Sequence, residues 1–317
     1  MAKFSICIPA YKSRFLDECI HSILVQSISD FELIILNDCS PNPVEIIVNS
    51  FSDKRIKYYS NNQNVGPINL VQNWNKCLEL ASGEYLIMMG DDDLMEASYL
   101  SVFSDLIEKY SDLDVYHCRS KIIDDAGNIN MLTPSWPEYE NVYDNIWHRL
   151  TERRAQYISD FVYKVSSLRK SGGFYNLPYA WGSDDITSYI ACGNKGIAHT
   201  NKSVFRYRSN ELSITKTGND IVKMDANILY AKWLFEFLYE GSPDNSDAGI
   251  MHSKLLVDSN KLMQKRKIHI MSKSLSTNKL QNYIMWLGLR KKYAISIMEI
   301  SYALIIALKE GRSKIRY

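Results

Sequence analysis

The chain has no uninterrupted apolar run approaching the ~18 residues that a membrane-spanning helix needs, and no internal repeat or low-complexity tract. It also lacks a leader pattern: MAKFSICIPAYK runs directly into a strand, so a cytoplasmic protein is expected. Its cysteines (Cys7, Cys19, Cys39, Cys77, Cys118, Cys192) form no C-x-x-C pair and have no histidine at zinc spacing, which argues against a structural zinc site and reads as reduced thiols. The histidines (His21, His117, His148, His199, His252, His269) fall at no ligand or triad spacing and are assigned no role. Net charge is nearly absent at +1, but this conceals an asymmetry. Residues 261–317 hold 13 Lys/Arg against two acids, Glu299 and Glu310, so the first 260 residues are net acidic. A split of that kind points to two tasks.

What is present is a core-forming composition, 46% hydrophobic over 317 residues, arranged as alternating strand and helix patterns. Lys3–Ile8, Phe31–Leu36, Ile56–Tyr59 and Glu84–Met89 read as strands. Helical spacing connects them through Leu16, Ile20, Ile23 and Leu24, through Ile46, Ile47 and Phe51, and through Gly66 to Ala81, with Gly83 as a C-cap glycine. A further helix ends at Asp105–Tyr110, and Asp114–Cys118 is a fifth strand; Asp124–Pro137 breaks into a loop or hairpin. Then come a helix near Val142–Glu152, a strand near Gln156–Val162, a short helix at Ser166–Ser171 and a strand across Gly196–Tyr207. Beyond Asp220 the pattern is helical, interrupted at Gly241–Gly249. The expected architecture is α/β, a sandwich with a mostly parallel central sheet, followed by a helical C-terminal region.

In such sheets ligands bind outside the carboxyl ends of the strands. Three polar clusters fall there: Pro9-Ala10-Tyr11 after the first strand, Asn37-Asp38-Cys39-Ser40 after the second, and Gly90-Asp91-Asp92-Asp93 after the fourth. Three adjacent carboxylates repel one another, and a hard divalent cation is the usual reason for keeping them together. The alternative is a solvated turn capping a helix that starts near Met95.

These motifs, with Asn64-Val65-Gly66, Asn73-Trp74-Asn75 and Ala81-Ser82-Gly83-Glu84-Tyr85 in order between them, resemble family 2 glycosyltransferases over about the first 215 residues. The resemblance implies a Rossmann-like α/β/α sandwich of the GT-A type, with a nucleotide-sugar-binding and catalytic domain at 1–215 and a helical region at 216–317. It implies a base and ribose pocket lined by Pro9, Ala10 and Tyr11, with Asp38 accepting from the uracil N–H. Tyr11 as a half-buried core aromatic and Asp38 as a turn cap are the plainer readings. Asp92 matches the metal-binding aspartate and Asp91 a ribose or metal contact, with Asp93 a third candidate ligand for Mn²⁺ or Mg²⁺. Gly90 departs from the commoner Asp-x-Asp-Asp form.

The pair in Trp181-Gly182-Ser183-Asp184-Asp185-Ile186 resembles the family's Glu-Asp pair, which makes Asp185 the expected general base and Asp184 its orienting or acceptor-contacting neighbour. Helix capping is the alternative. Arg208, in Phe205-Arg206-Tyr207-Arg208-Ser209-Asn210, resembles an arginine closing over the diphosphate.

The implied activity is an inverting, metal-dependent transfer of a sugar from a UDP-sugar to a hydroxyl of a lipid-linked, undecaprenyl-diphosphate-type saccharide, as in polysaccharide or O-antigen synthesis. Gln264-Lys265-Arg266-Lys267 and Arg290-Lys291-Lys292 flank an apolar segment, Ala294–Leu308. They suggest an interfacial helix on an anionic membrane surface at the inner face of the cytoplasmic membrane. A helical subdomain packed on the catalytic domain, or on a twin subunit in a homo-oligomer, is the alternative. Nucleic acid is not expected, because aromatic interleaving is missing. A nucleotidyltransferase would need a glycine-rich basic loop after the first strand, which Pro9-Ala10-Tyr11-Lys12-Ser13 is not. A glycoside hydrolase would need paired carboxylates about 5–10 Å apart without a nucleotide pocket. A carbohydrate-binding homologue without activity is the non-enzyme alternative.

Overall fold

The computed structural model describes residues 2–210, 217–243 and 246–313, with side chains described through residue 309. Ten strands form one sheet: β1 (Phe4–Ala10), β2 (Phe31–Asn37), β3 (Ile56–Ser60), β4 (Tyr85–Met88), β5 (Leu94–Met95), β6 (Val115–Ile123), β7 (Ile129–Leu132), β8 (Tyr139–Glu140), β9 (Phe161–Lys164) and β10 (Ile197–Arg208). Their order is β3-β2-β1-β4-β9-β6-β10-β5, with β7 on β6 and β8 on β10. The pairs β3-β2, β2-β1, β1-β4 and β6-β10 are parallel, and β9 is inserted antiparallel between β4 and β6. The expected α/β sandwich is the observed one.

The parallel half is built from runs that bury both faces of the sheet. All seven residues of Phe31–Asn37 are buried, as expected of a central strand covered by helices on each side. One apolar cluster joins Ile6, Ile8, Leu33 and Ile35 to the helices Leu16–Leu24 and Tyr99–Lys109. The other joins Cys7, Ile34, Leu86 and Met88 to Leu70–Leu80, Ser183–Cys192 and the C-terminal helix Asp220–Glu240. Each fully buried Leu, Ile or Val side chain contributes about 1.5–3 kcal/mol. Tyr230 and Trp233 share that second cluster with Ile186 and Tyr189, so the C-terminal helices complete the core behind the site.

Register sets the site. Ala10 stands opposite Asn37 and Asn37 opposite Ser60, so the next residues of each strand, Tyr11, Asp38 and Asn61, emerge at one edge. Met89 N donates to Cys7 O at 2.8 Å, which carries the acidic triplet up beside Ala10 and Tyr11.

Several local expectations change. Gly83 is no left-handed C-cap; a Cβ there would lie 2.8 Å from Phe4 C and Ser5 N, so the residue is small because two backbones nearly touch. Leu94–Met95 pairs with β10 and the next helix begins at Tyr99, so the triplet caps no helix at Met95. The segment after β6 forms a hairpin with β7. The C-terminal helices are Asp220–Glu240, Ser246–Thr277, Lys279–Leu289 and Ile297–Ser313. Among the described residues no helix is long and apolar enough to cross a membrane.

Candidate active site

Asp38 is buried and held by amides that the sequence places 23 to 27 residues later. Asn61 Nδ2 and Val65 N donate to its Oδ1 at 2.9 and 3.0 Å, and Asn64 Nδ2 donates to Oδ2 at 2.9 Å. Its own N–H is held by Ala10 O at 2.9 Å, and Asn61 also donates to Asn73 Oδ1 at 2.8 Å. The Asn64 and Asn73 motifs therefore act as the frame of Asp38. Beside it Tyr11 is 43% exposed, too open for a core aromatic, and its carbonyl accepts from Ser40 Oγ and Asn42 Nδ2. Pro9 is half-buried, whereas Ala10 is fully buried. Ala10 is thus corrected from pocket lining to the floor beneath it.

The triplet divides into three environments. Asp91 is buried; its Oδ2 accepts from Tyr11 N at 2.9 Å and Lys12 N at 2.7 Å, and burial pushes its carboxyl up to about 6 despite the nearby Lys12 charge. Asp92 Oδ2 accepts from Lys12 Nζ at 2.7 Å and Asn210 Nδ2 at 2.6 Å. Asp93 is buried and faces away, accepting from Arg208 N at 2.9 Å and Ser159 Oγ at 3.2 Å. Burial, and then the Asp92 charge, raise its carboxyl well above the usual range. Both its oxygens being engaged inside the protein, Asp93 is corrected from metal ligand to a brace for the turn.

Arg208 is also corrected. Its side chain is wholly buried; Nε donates to Asp92 O at 2.8 Å, Nη1 to Asp125 O at 3.0 Å and Nη2 to Glu18 Oε2 at 2.8 Å, with the guanidinium 4.0 Å from the Phe15 ring centroid. A guanidinium so engaged locks the loop below the triplet and does not reach a diphosphate.

Oxygen ligands suit Mg²⁺ and Mn²⁺, and Mg²⁺ is typically held by one or two carboxylates plus substrate phosphates. Among the described residues no three His, Cys, Asp or Glu side chains converge as a cage. Asp91 and Asp92, however, already converge on one positive charge, the Lys12 ammonium, at 3.8 and 2.7 Å. Two carboxylates on a shared cation position fit such an ion; Asp93 does not join them.

The second acidic pair lies in the first turn of the helix Ser183–Cys192, where the helix dipole favours negative charge. Gly182 precedes it at φ 92°, and an added Cβ would meet the Tyr230 ring at 2.8 Å. Asp185 is fully buried, its Oδ1 accepting from Arg149 Nε at 2.9 Å and its Oδ2 lying 4.0 Å from Arg266 Nη1. Asp184 is half-buried, and burial together with the Asp185 charge pushes its carboxyl up to about 7. Of the pair, in which Asp185 is the expected base and Asp184 its orienting or acceptor-contacting neighbour, Asp184 is the more exposed carboxylate. Tyr157, stacked on Tyr207 at 4.0 Å, is pushed up to about 12 by burial and then by the Asp160 charge. Behind it, His117 and His199 meet through their Nδ1 atoms at 2.9 Å, and His117 Nε2 lies 3.0 Å from Asp160 Oδ1. Burial keeps His117 neutral, which places these histidines in the support of the Tyr157–Asp160 turn.

Lys12, Asn61, Arg149 and Tyr157 were given no role from the sequence, and Arg266, read there only as part of the basic cluster, donates to Asn227 Oδ1 at 2.9 Å and faces Asp185. Their roles come from contacts between segments distant in the chain.

A GT-A-type sheet with an open aromatic, a braced aspartate and a cation-holding carboxylate pair at adjacent strand ends is a nucleotide-sugar fold. The chain belongs to glycosyl transferase family 2, whose model matches residues 5–171. It is 26% identical over 225 residues to the glycosyltransferase GlyA of Streptococcus pneumoniae, covering 68% of this chain and 32% of that protein. It is 31% identical over 134 residues to a GalNAc(5)-diNAcBac-PP-undecaprenol beta-1,3-glucosyltransferase of Campylobacter jejuni, covering 41% of each. The matched parts are therefore well under half the length of these relatives. Among solved structures, Staphylococcus aureus TarS 1–349 in complex with UDP-GlcNAc superposes with a TM-score of 0.66 at 15% identity, covering 99% of this chain and 93% of that one. A Pyrobaculum calidifontis mannosyltransferase in complex with GDP-Man and Mn²⁺ gives 0.54 at 14% identity, covering 97% of this chain and 86% of that one.

Proposed function

We propose that the chain transfers a sugar from a UDP-sugar to a saccharide hydroxyl with inversion at the anomeric carbon, residues 1–215 carrying the chemistry and 216–317 completing it from behind. The observation that carries this reading is the row Tyr11, Asp38 and Asp91 at adjacent strand ends. Tyr11 offers an open ring for a base. Asp38 Oδ2 accepts one amide and has room for a second donor, the capacity that a uracil N–H requires. The UDP-GlcNAc in the TarS complex and the undecaprenol-linked acceptor in the name of the Campylobacter relative support the donor and the lipid-linked acceptor.

Asp91 and Asp92 would hold Mn²⁺ or Mg²⁺, which when bound neutralises charge on the departing diphosphate. Asp184, open and raised towards neutrality, takes the proton of the acceptor hydroxyl as its oxygen bonds to the anomeric carbon and the bond to UDP breaks. Asp185, clamped by Arg149 and faced by Arg266, fixes the helix start that presents Asp184.

The C-terminal face supports an anionic membrane surface as the working location. Met298, Tyr302 and Ile305 recur at helical spacing on the outside of Ile297–Ser313, near Arg290 and Lys291. The test of the whole is release of UDP from UDP-sugars in the presence of Mn²⁺ or Mg²⁺, abolished by Asp92→Ala. Absence of binding or turnover with every uridine nucleotide overturns the reading.

A further inference from the structure

Lys12 occupies the point that the two metal-binding candidates share. Its backbone N–H is bound to Asp91 Oδ2, and its side chain reaches across to place Nζ 2.7 Å from Asp92 Oδ2 and 3.8 Å from Asp91 Oδ1. The side chain is 38% exposed over carboxylates that are 9% and 14% exposed, so it closes the acidic pair from the solvent side. Among the described residues no other cation pairs with these two carboxylates: the Arg208 guanidinium beneath is turned to Glu18 and to carbonyls, and Asn210, a second side chain on Asp92, is neutral.

We propose that Lys12 is an exchangeable counter-ion, holding the cation position in the resting protein and moving to the diphosphate when nucleotide and divalent ion enter together. This rests on the reading of the site as one for a uridine diphosphate with a divalent ion. A lysine suits the task, since its ammonium is a point charge on a flexible four-carbon stem. An ion arriving alone must break the Lys12–Asp92 pair and leave the ammonium without an anionic partner. An ion arriving with a diphosphate brings the replacement partner with it. The two ligands therefore bind with positive coupling, and by linkage each strengthens the other by the same factor. The device discourages metal loading without donor and makes the diphosphate, rather than the sugar, the group that opens the acidic pair.

The test is calorimetric titration of Mn²⁺ into the full chain, with and without saturating UDP, for the wild type, Lys12→Met and Lys12→Gln, with thermal melts to confirm that both variants fold. Expected for the wild type is weak binding of Mn²⁺ alone and binding at least ~10-fold tighter with UDP, within the range of ordinary coupling. Both variants should bind Mn²⁺ alone about 10-fold more tightly than the wild type and show a smaller gain on adding UDP. Unchanged affinity of the variants for Mn²⁺ alone, with UDP-enhanced binding intact in the wild type, overturns the role of Lys12 and leaves the site reading standing. No binding of Mn²⁺ to the wild type even with UDP overturns the site reading and this inference with it.

Discussion

Asp184 and Asp185 are sequence neighbours with opposite surroundings. Asp185 is sealed against Arg149 at 2.9 Å, while Asp184 lies half-open with its carboxyl raised to about 7. On the proposed reading, proton transfer belongs to the more exposed residue and orientation to the sealed one, and a pH dependence follows. A base works deprotonated, so kcat/KM should climb as pH rises through 7, with activity at pH 6 about one-tenth of its alkaline plateau. Asp184→Asn should lower kcat by about 10²–10⁴-fold and remove that limb. A full limb in Asp184→Asn, together with its loss in Asp185→Asn, would return the base role to Asp185.

The Arg149 contact gives a stability prediction. Removing one partner of a buried ion pair leaves the other charge stranded, typically a loss of about 3–5 kcal/mol. Arg149→Met should lower the melting temperature at pH 7.5, with part of the loss offset by Arg266. Arg149→Met combined with Asp185→Asn should recover some of it. Melts of the three variants against wild type decide the matter; additive losses would show that the two residues do not interact.

How much of this was legible beforehand follows from the range of the interactions. Tyr11, Asp38 and the triplet could be placed because each follows an apolar run directly, and strand ends in this fold class meet at one edge. The functions of Asp93 and Arg208 could not, because local sequence does not disclose that Ser159, Glu18 and the Asp92 carbonyl surround them. Gly83 was read as a helix cap because it follows the helix Leu70–Leu80, but its real constraint is the backbone of β1, nearly 80 residues away. Helix starts failed similarly: Leu94–Met95 has helix-compatible residues and is drawn into a strand by β10.

Asp38→Asn tests nucleotide choice. It keeps the shape but replaces an acceptor by a donor facing Asn61, Asn64 and Val65. Affinity for UDP should fall by about 10- to 100-fold, the loss of a charge-assisted hydrogen bond of about 1.5–3 kcal/mol. Affinity for GDP, measured in parallel, should change much less. An equal fall for both nucleotides would mean that Asp38 only supports the fold.

The outward face of Ile297–Ser313 can be tested without truncation, which near residue 260 would cut the helix Ser246–Thr277 and remove Arg266. Met298→Ser with Tyr302→Ser should reduce co-sedimentation with vesicles rich in anionic lipid while leaving UDP affinity unchanged. Unaltered sedimentation, with a concentration-dependent mass in solution, would assign that face to a second copy.

The most direct test of the central claim is calorimetric titration of UDP into wild type and Asp92→Asn, each with and without Mn²⁺. The expected result is that Mn²⁺ strengthens UDP binding at least ~10-fold in the wild type and not in Asp92→Asn. UDP affinity that is the same with and without Mn²⁺ in the wild type, or equally strengthened in the variant, would contradict the assignment of Asp91 and Asp92 to the metal and diphosphate.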